Sequence, residues 1–431
     1  MKIKLTSGIM MILTIIITHS AFADVTINGF CYLEGGTNHS GTKVLFNAVS
    51  PTAVTDSTYT LSDGSFNIGL SVGIYTISYS HDGWQPHIVE GDVQLFANTT
   101  LDEVTLSFGE VQDVSGNQSG TWTSNYIYNV IGDINVPAGD SLIIEPGVTV
   151  KFLDYYSFTI NGKLIAEGTE TDSIRFTSGQ AIANPGDWGN FKFDSDSDDS
   201  SVITYAKIEY AYSISCYGSS PTISNNTISK NSYCGIYCTD GSLATISNNT
   251  ISNNTSTGIS CYDSSPTISN NTINNNEYGI RCNHDSSPPI SNNTISNNHY
   301  GIWCDDSFST ISNNTISNNT STGIRTGDYP LTISNNVINN NYNGIELSSY
   351  NSSAIRNNTI SNNFRGILNY SSSATILNNI FYTNVTGIDA SSSSPPSLET
   401  NLFWLNQHVS SGDALPPAFG QLITVNANGD P

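Results

Sequence analysis

The sequence predicts an all-β chain in which a small β-sandwich precedes a three-sided β-solenoid. The main observation is a unit close to "TISNNTISNNxxGIxCxxSSP", which recurs every 21 to 23 residues between residues 213 and 406 and has a period typical of solenoids. A second observation is the alternation of strands and Asp-Gly-type turns between residues 24 and 109. A third is composition: 37% of the 431 residues are hydrophobic and 10% are aromatic, which favours a packed fold over disorder.

The first 23 residues have the order of a secretory signal peptide. Lys2 and Lys4 precede an apolar run, and the small-residue group Ala21-Phe22-Ala23 follows it. The sequence therefore predicts a bacterial-type protein that is exported by the Sec route and is secreted or held at the cell surface. No later segment has the roughly 20 apolar residues of a transmembrane helix, so we expect none in the mature chain.

Residues 24–109 are predicted to form the sandwich. The run "TLSDGSFNIGLSVGIYTISYSHDGWQP" contains strands that are separated by an Asp-Gly turn. This run resembles the carboxypeptidase-regulatory-like domain, a transthyretin-type or immunoglobulin-like β-sandwich found on many secreted bacterial proteins. The resemblance implies a spacer or a binding module, because no zinc-binding carboxypeptidase motif accompanies it.

The solenoid is predicted to have an irregular start, a regular body and an incomplete end. Residues 110–212 contain longer and less regular strands, whereas residues 213–406 follow the repeat closely. The pattern fades over residues 407–431, which are mostly polar and would make a weak cap for the last hydrophobic layer. We therefore expect an incomplete C-terminal segment and a truncated chain.

Each regular unit contains three short segments centred on one isoleucine and separated by polar corners. The isoleucines are predicted to stack into three inward columns that start at Ile223, Ile228 and Ile236. Two ladders of asparagine, which start at Asn226 and Asn231, are predicted to turn the corners, because Asn tolerates left-handed backbone and its amide can hydrogen-bond from coil to coil.

The repeat region resembles the pectin-lyase-like superfamily of right-handed parallel β-helices, and in particular its low-complexity secreted members. Right-handedness follows from this resemblance and from the strong bias of parallel crossovers. The superfamily contains polysaccharide lyases and hydrolases, and similar proteins include a copper-associated periplasmic family. All three methionines precede residue 24 and the histidines are scattered, so we expect no copper ligand cluster here.

The charge balance excludes two classes of partner. The chain has 13 Lys and Arg against 36 Asp and Glu, for a formal net charge of -23. A protein that binds nucleic acid or an anionic membrane needs clustered cations to displace counterions. We therefore expect neither partner, and we expect a monomer.

Five of the seven cysteines recur once per unit, two residues after the third isoleucine. Alternation along a strand points them inward, so they are predicted to form a column of small buried side chains with free thiols. The alternative is a thiol ladder for a soft metal, but an in-register stack places its ligands in a line and not in a tetrahedron.

The third side of the coil is the candidate ligand-binding site, because outward residues on the other two sides are nearly all Ser and Asn. An aromatic ring can stack on a sugar, and guanidinium groups can pair with uronate carboxylates. The predicted ligand-binding residues are a tryptophan between two arginines and the residues that rim it: Trp303, Arg281, Arg325, Tyr278, Tyr300 and Glu346.

The sequence leaves three functions open. The preferred one is a non-catalytic rod that contacts a polysaccharide or cell-surface glycan, or that acts as an adhesin. The first alternative is a polysaccharide (uronate) lyase, with Arg281 or Arg325 as base and with calcium held by Asp305, Asp306 and Asp328, although no diagnostic enzyme motif is present. The second is a purely structural envelope component, in which the third side is a solvated strand face and its aspartates serve corner geometry.

Overall fold

The computed structural model describes residues 24–50, 54–81, 84, 87–89, 91–106, 110–170, 172–348, 351–370, 372–390 and 396–411. The chain divides into two compact units, Met1–Gly109 and Glu110–Pro431. The predicted signal peptide and residues 412–431 lie outside the described residues. In the described part, the regular elements are strands, and no helix there has the length and apolar character needed to cross a membrane.

The first unit contains two sheets that share one hydrophobic core. Its strands are β1 (Asp24–Leu33), β2 (Lys43–Ser50), β3 (Thr55–Tyr59), β4 (Ser65–Ser71), β5 (Gly73–Ser80), β6 (His87–Ile88), β7 (Val93–Leu95), β8 (Thr99–Thr100) and β9 (Val104–Leu106). In one sheet β1 pairs with β4, β8 and β9, and in the other β2 lies between β3 and β5, with β6 and β7 beside β5. Alternate residues such as Ile27, Phe46 and Ile77 are fully buried between the sheets. This is the predicted β-sandwich, and its resemblance to the carboxypeptidase-regulatory-like domain stays a prediction.

The second unit is a parallel β-solenoid with three faces. The first face is a sheet of 13 strands, namely Gly120–Trp122, Ser141–Ile144, Lys163–Glu167, Val202–Thr204, Thr222–Ser224, Thr245–Ser247, Thr267–Ser269, Pro289–Ser291, Thr310–Ser312, Thr332–Ser334, Ala354–Arg356, Thr375–Leu377 and Ser397–Glu399.

The second and third faces start from two long strands, Glu110–Asn117 and Tyr126–Val136, which run along both faces. The second face continues with Thr149–Phe152, Ile174–Ser178, Ala206–Glu209, Thr227–Ser229, Thr250–Ser252, Thr272–Asn274, Thr294–Ser296, Thr315–Ser317, Val337–Asn339, Thr359–Ser361, Ile380–Tyr382 and Leu402–Trp404. The third face continues with Phe158–Ile160, Phe191–Phe193, Ile214–Tyr217, Cys234–Thr239, Thr257–Tyr262, Tyr278–Asn283, Tyr300–Cys304, Thr322–Thr326, Asn343–Leu347, Arg365–Asn369, Thr386–Ala390 and His408–Ser411.

The core of the solenoid consists of the three predicted isoleucine columns. The columns are in register from coil to coil, as in the pairs Ile223 with Ile246, Ile228 with Ile251, and Ile236 with Ile259, and their members are fully buried. Each buried isoleucine contributes about 1.5–3 kcal/mol of transfer free energy. The predicted fold class is confirmed, and the coils continue to the strand His408–Ser411, slightly beyond the predicted end of the repeat at residue 406.

The two asparagines of each corner have different roles. The second asparagine is buried and forms the ladder: in one coil, the Asn314 amide donates to Ile290 O at 3.0 Å and to Asn336 Oδ1 at 3.0 Å. The left-handed backbone belongs to the first asparagine, as at Asn313 with φ 58°. The prediction that one asparagine both forms the coil-to-coil hydrogen bonds and has the left-handed backbone is therefore wrong: the two roles belong to two neighbouring residues.

A column of glycines starts the third-face strands. A Cβ built on Gly301 would lie 2.5 Å from the Gly323 carbonyl oxygen, and one on Gly279 would lie 2.5 Å from that of Gly301. The coils therefore approach too closely at this column for any side chain. This contact fixes the register of the third face, which carries the candidate site.

The cysteine column lies inside the third face, as predicted. Cys238, Cys261, Cys282 and Cys304 pair in register, and every cysteine of the described residues is a buried free thiol. Hydrogen bonding from the neighbouring thiol and burial raise the pKa of Cys304 well above its ordinary value. Burial raises the pKa of Cys234, which lies outside the column, to about 12.

We expect the thiols to be unreactive in the folded protein, because a reagent must reach the sulfur and the fold buries all seven of these groups. Incubation of residues 24–431 with excess iodoacetamide at neutral pH should leave the seven cysteines unmodified by mass spectrometry. The same incubation in strong denaturant is the control and should modify all seven. Rapid alkylation of Cys261 in the native protein would contradict the buried column.

Candidate functional site

The outward residues of the third face form a single column in the predicted order. Register pairs join Ser260 to Arg281, Arg281 to Trp303, Trp303 to Arg325, and Arg325 to Glu346. A second column, just before the glycines, pairs Tyr278 with Tyr300. The structure therefore brings together the six side chains that the sequence predicted as a ligand site, which we call the Trp303 cluster.

Trp303 is packed within its cluster and is not fully exposed. Its ring centroid lies 5.3 Å from that of Tyr278 and 4.8 Å from that of Tyr300, and the two tyrosine rings stack at 5.4 Å. The Arg325 guanidinium lies 4.2 Å from the Trp303 ring, and that of Arg281 lies 5.7 Å away. Trp303 is half-buried, because the arginines on the neighbouring coils cover part of its ring.

Most of the third-face arginines already have carboxylate partners. Arg325 Nε lies 3.4 Å from Glu346 Oε1, and Thr322 and Asn343 donate to the other oxygen of Glu346. Arg365 Nε lies 2.8 Å from Asp389 Oδ2. In the part of the chain that the structure describes, Arg281 makes no ion pair, so it is the guanidinium of this cluster that stays open to an anionic group.

Sequence reasoning missed two further aromatic pairs, whose rings lie one or two residues before third-face strands. Tyr342 and Phe364 stack at 4.9 Å, with the Arg365 guanidinium 5.2 Å from the Phe364 ring. Tyr212 and Tyr233 stack at 5.2 Å. These four rings are exposed. A sequence pattern could have identified three of these rings, because each lies two residues before a repeat glycine: Tyr233, Tyr342 and Phe364.

The predicted calcium ligands do not converge. Asp305, Asp306 and Asp328 are exposed, and no three His, Cys, Asp or Glu side chains within the described ranges are placed to hold a metal ion. Asp306 has left-handed backbone, with φ 49°, and so has Asp285, with φ 53°. Corner geometry therefore accounts for these two aspartates, and a calcium site stays a prediction.

The geometry around Arg325 does not favour its use as a base. A base needs a nitrogen that faces the substrate proton, whereas the Arg325 guanidinium stacks on the Trp303 indole and pairs with Glu346. Arg281 lies 5.2 Å from the Tyr278 ring and 5.7 Å from the Trp303 ring. The arrangement is better suited to holding a ligand than to removing a proton from it, and the lyase function stays a prediction.

Two family models match parts of the second unit. A model described as a right handed beta helix region matches residues 278–415. A model described as periplasmic copper-binding protein (NosD) matches residues 164–307. Together with the three-faced parallel solenoid described above, these matches support the fold of a right-handed parallel β-helix for the second unit.

Comparisons with individual proteins give one short matching segment and several partial structural likenesses. Protein bark beetle of Drosophila melanogaster is 44% identical over 50 residues, which make up 12% of this chain and 2% of that protein. A double mutant of the periplasmic alginate epimerase AlgG is 17% identical over 65% of this chain and 77% of its own, with a TM-score of 0.48. The A-module of a mannuronan C-5 epimerase from Azotobacter vinelandii is 16% identical over 69% of this chain and 91% of its own, with a TM-score of 0.32.

A further solved structure, a cohesin–X-dockerin complex from Acetivibrio cellulolyticus, is 21% identical over 20% of this chain and 58% of its own, with a TM-score of 0.17. At such identities a structural likeness concerns the fold and not the chemistry of a site. Function must therefore be argued from the residues of this chain.

Proposed function

We propose that the third face binds an extended polysaccharide and that the protein acts, after export, as a non-catalytic carbohydrate-contacting or adhesive rod. The observation that carries the proposal is the spacing of aromatic rings along the third face. One group contains Tyr212 and Tyr233, the next is the Trp303 cluster, and the last contains Tyr342 and Phe364.

The three aromatic groups recur at a fixed interval. Each group lies at two consecutive third-face strands, and one strand separates it from the next group: Thr257–Tyr262, which carries a single ring at its last residue, and Thr322–Thr326, which carries none. The repeat is thus three strands, or about 14 Å along the solenoid axis. A polymer of similar units lying along the axis would meet one aromatic group after another, whereas a compact ligand would contact only one.

The chemistry of the groups suits sugars. Aromatic rings bury the apolar faces of hexoses, and guanidinium and carboxylate groups donate and accept hydrogen bonds from hydroxyls. Since Arg325 and Arg365 are neutralised by Glu346 and Asp389, the third face offers mainly hydrogen bonds and stacking. It is therefore better suited to neutral or sparsely charged sugars than to the fully uronate chain that the sequence suggested.

We expect Trp303→Ala to weaken polysaccharide binding by about tenfold, because tryptophans at a contact surface carry a large share of binding free energy. Retention of residues 24–431 on affinity gels that contain β-linked neutral polysaccharides measures the change. Trp404→Ala is the matched control, because Trp404 is exposed on the second face. Equal retention of the Trp303 variant and the unchanged protein on every gel that retains the protein would contradict the proposal.

A further inference from the structure

A cluster of cations lies on the second face, away from the Trp303 cluster. Arg175 and Lys207 are register partners on adjacent strands, Lys151 lies one strand before them beside Thr177, and Lys230 occupies the corner after the next strand. These are four of the 13 basic residues in a chain of net charge -23. We call them the second-face cation cluster.

One buried carboxylate joins two members of this cluster. Glu209 Oε1 lies 2.8 Å from Arg175 Nη2, and its other oxygen lies 3.2 Å from Lys207 Nζ. Glu209 is only 2% exposed. Burial alone would raise the pKa of this carboxyl, but Lys207 and Arg175 outweigh burial and lower the pKa. The carboxylate is therefore ionised and neutralises one of its two cationic partners, which leaves positive charge in excess.

Two further features of the cluster concern Arg175 and Lys230. The Nε of Arg175 is buried and lacks a hydrogen-bond partner among the residues that the structure describes, which is rare for a buried polar atom. Lys230 Nζ donates to the Tyr210 hydroxyl at 3.0 Å and lies 5.1 Å from that ring. A neutral phenol satisfies one of its three donors but does not neutralise its charge.

The backbone beside the cluster is unusual. Tyr210 and Lys230 have left-handed backbone, with φ 67° and 59°, at a corner that asparagine occupies in the later coils, as at Asn253. Left-handed backbone is rare for bulky residues, and such strain collects at functional sites. It places an aromatic ring and an ammonium group side by side at the edge of the second face.

We propose that the second-face cation cluster binds the carboxylate or sulfate groups of an acidic polysaccharide. The site is separate from the third-face contact surface and does not depend on it. Its cations recur strand by strand, about 4.8 Å apart along the axis, which matches successive charged groups on an extended chain better than one isolated anion. Tyr210 supplies a ring beside the charges, against which a sugar can pack.

The test compares the double variant Lys151→Gln/Lys230→Asn with the unchanged chain, as residues 24–431. Asparagine is the residue that later coils carry at the Lys230 corner, so the fold should tolerate it, and Glu209 keeps both of its partners. Binding to immobilised dextran sulfate and to polygalacturonate is measured at low and high salt. We expect about a tenfold loss for at least one of these polymers, and the affected polymer shows whether sulfate or carboxylate is preferred.

The control Lys43→Gln/Lys163→Gln removes the same charge from the first unit and from the first face. It should leave binding of both polymers unchanged, and Trp303→Ala should leave it unchanged as well, which separates this site from the third face. Equal loss in the control would reveal a net-charge effect and overturn the proposal. So would unchanged binding in the double variant, absence of binding to both polymers, or equally strong binding of single-stranded DNA.

Discussion

Replacing Asn314 with alanine should destabilise the solenoid by about 3–5 kcal/mol, the largest effect that we expect of a single substitution. Asn314 donates to Ile290 O, Ser312 O and Asn336 Oδ1, and its own Oδ1 accepts from the backbone N and the Nδ2 of Asn293, all at 2.9–3.0 Å. Alanine leaves these buried partners unsatisfied, and each such group costs about 1–3 kcal/mol. Urea denaturation followed by circular dichroism measures the change.

Asn274→Ala is the matched control. Asn274 lies on the outward side of a second-face strand, at a position that is serine in the neighbouring coils, and it is partly exposed. Its loss should change the free energy of unfolding by less than about 0.5 kcal/mol. If Asn314→Ala lowered the free energy of unfolding no more than Asn274→Ala does, the asparagine ladder would not stabilise the corners of the solenoid, contrary to our interpretation.

Gly301→Ala should lower the free energy of unfolding by about 1–3 kcal/mol, the second largest effect that we expect. The added Cβ would lie 2.5 Å from the Gly323 carbonyl oxygen and 3.0 Å from Asn319 Nδ2, so either the coil spacing or the ladder must shift. Thermal denaturation should show a lower midpoint for the solenoid.

Gly69→Ala provides the comparison for this substitution, because a Cβ at Gly69 meets no atom within 4 Å and alanine lowers the entropy of the unfolded chain. It should leave the midpoint of its own unit unchanged or slightly raised. A Gly301→Ala protein that is as stable as the parent would show that the coils can separate at the glycine column without cost.

Much of the fold is predictable because one unit is repeated in register. When a residue type recurs every 21 to 23 positions, stacking places it at one point of every coil. Ile302 and Cys304 could therefore be assigned to the interior from spacing alone, as could the outward direction of Trp303. Repetition also identified the ladder asparagines, but it could not show which member of each pair has left-handed backbone, because both recur with the same period.

The candidate site was predicted less completely, because side-chain packing between coils is not periodic. The order of Arg281, Trp303 and Arg325 is visible in the sequence. That Arg325 lies over the indole and pairs with Glu346 depends on side-chain conformations that no spacing reveals. The second-face cation cluster was missed for a different reason, since it lies mostly in the irregular coils, where Arg175 and Lys207 are 32 residues apart and only the structure shows that they are neighbours.

The central claim is that the aromatic groups of the third face form one binding surface for an extended sugar chain. A glycan array that spans neutral and acidic polymers, probed with residues 24–431 and with the triple variant Tyr233→Ala/Trp303→Ala/Tyr342→Ala, tests it most directly. We predict that the unchanged protein binds long neutral glycans and that the triple variant, which loses one ring from each group, binds none of these neutral glycans. Equal binding of the neutral glycans by both proteins, or no neutral glycan bound by the unchanged protein, would contradict the claim.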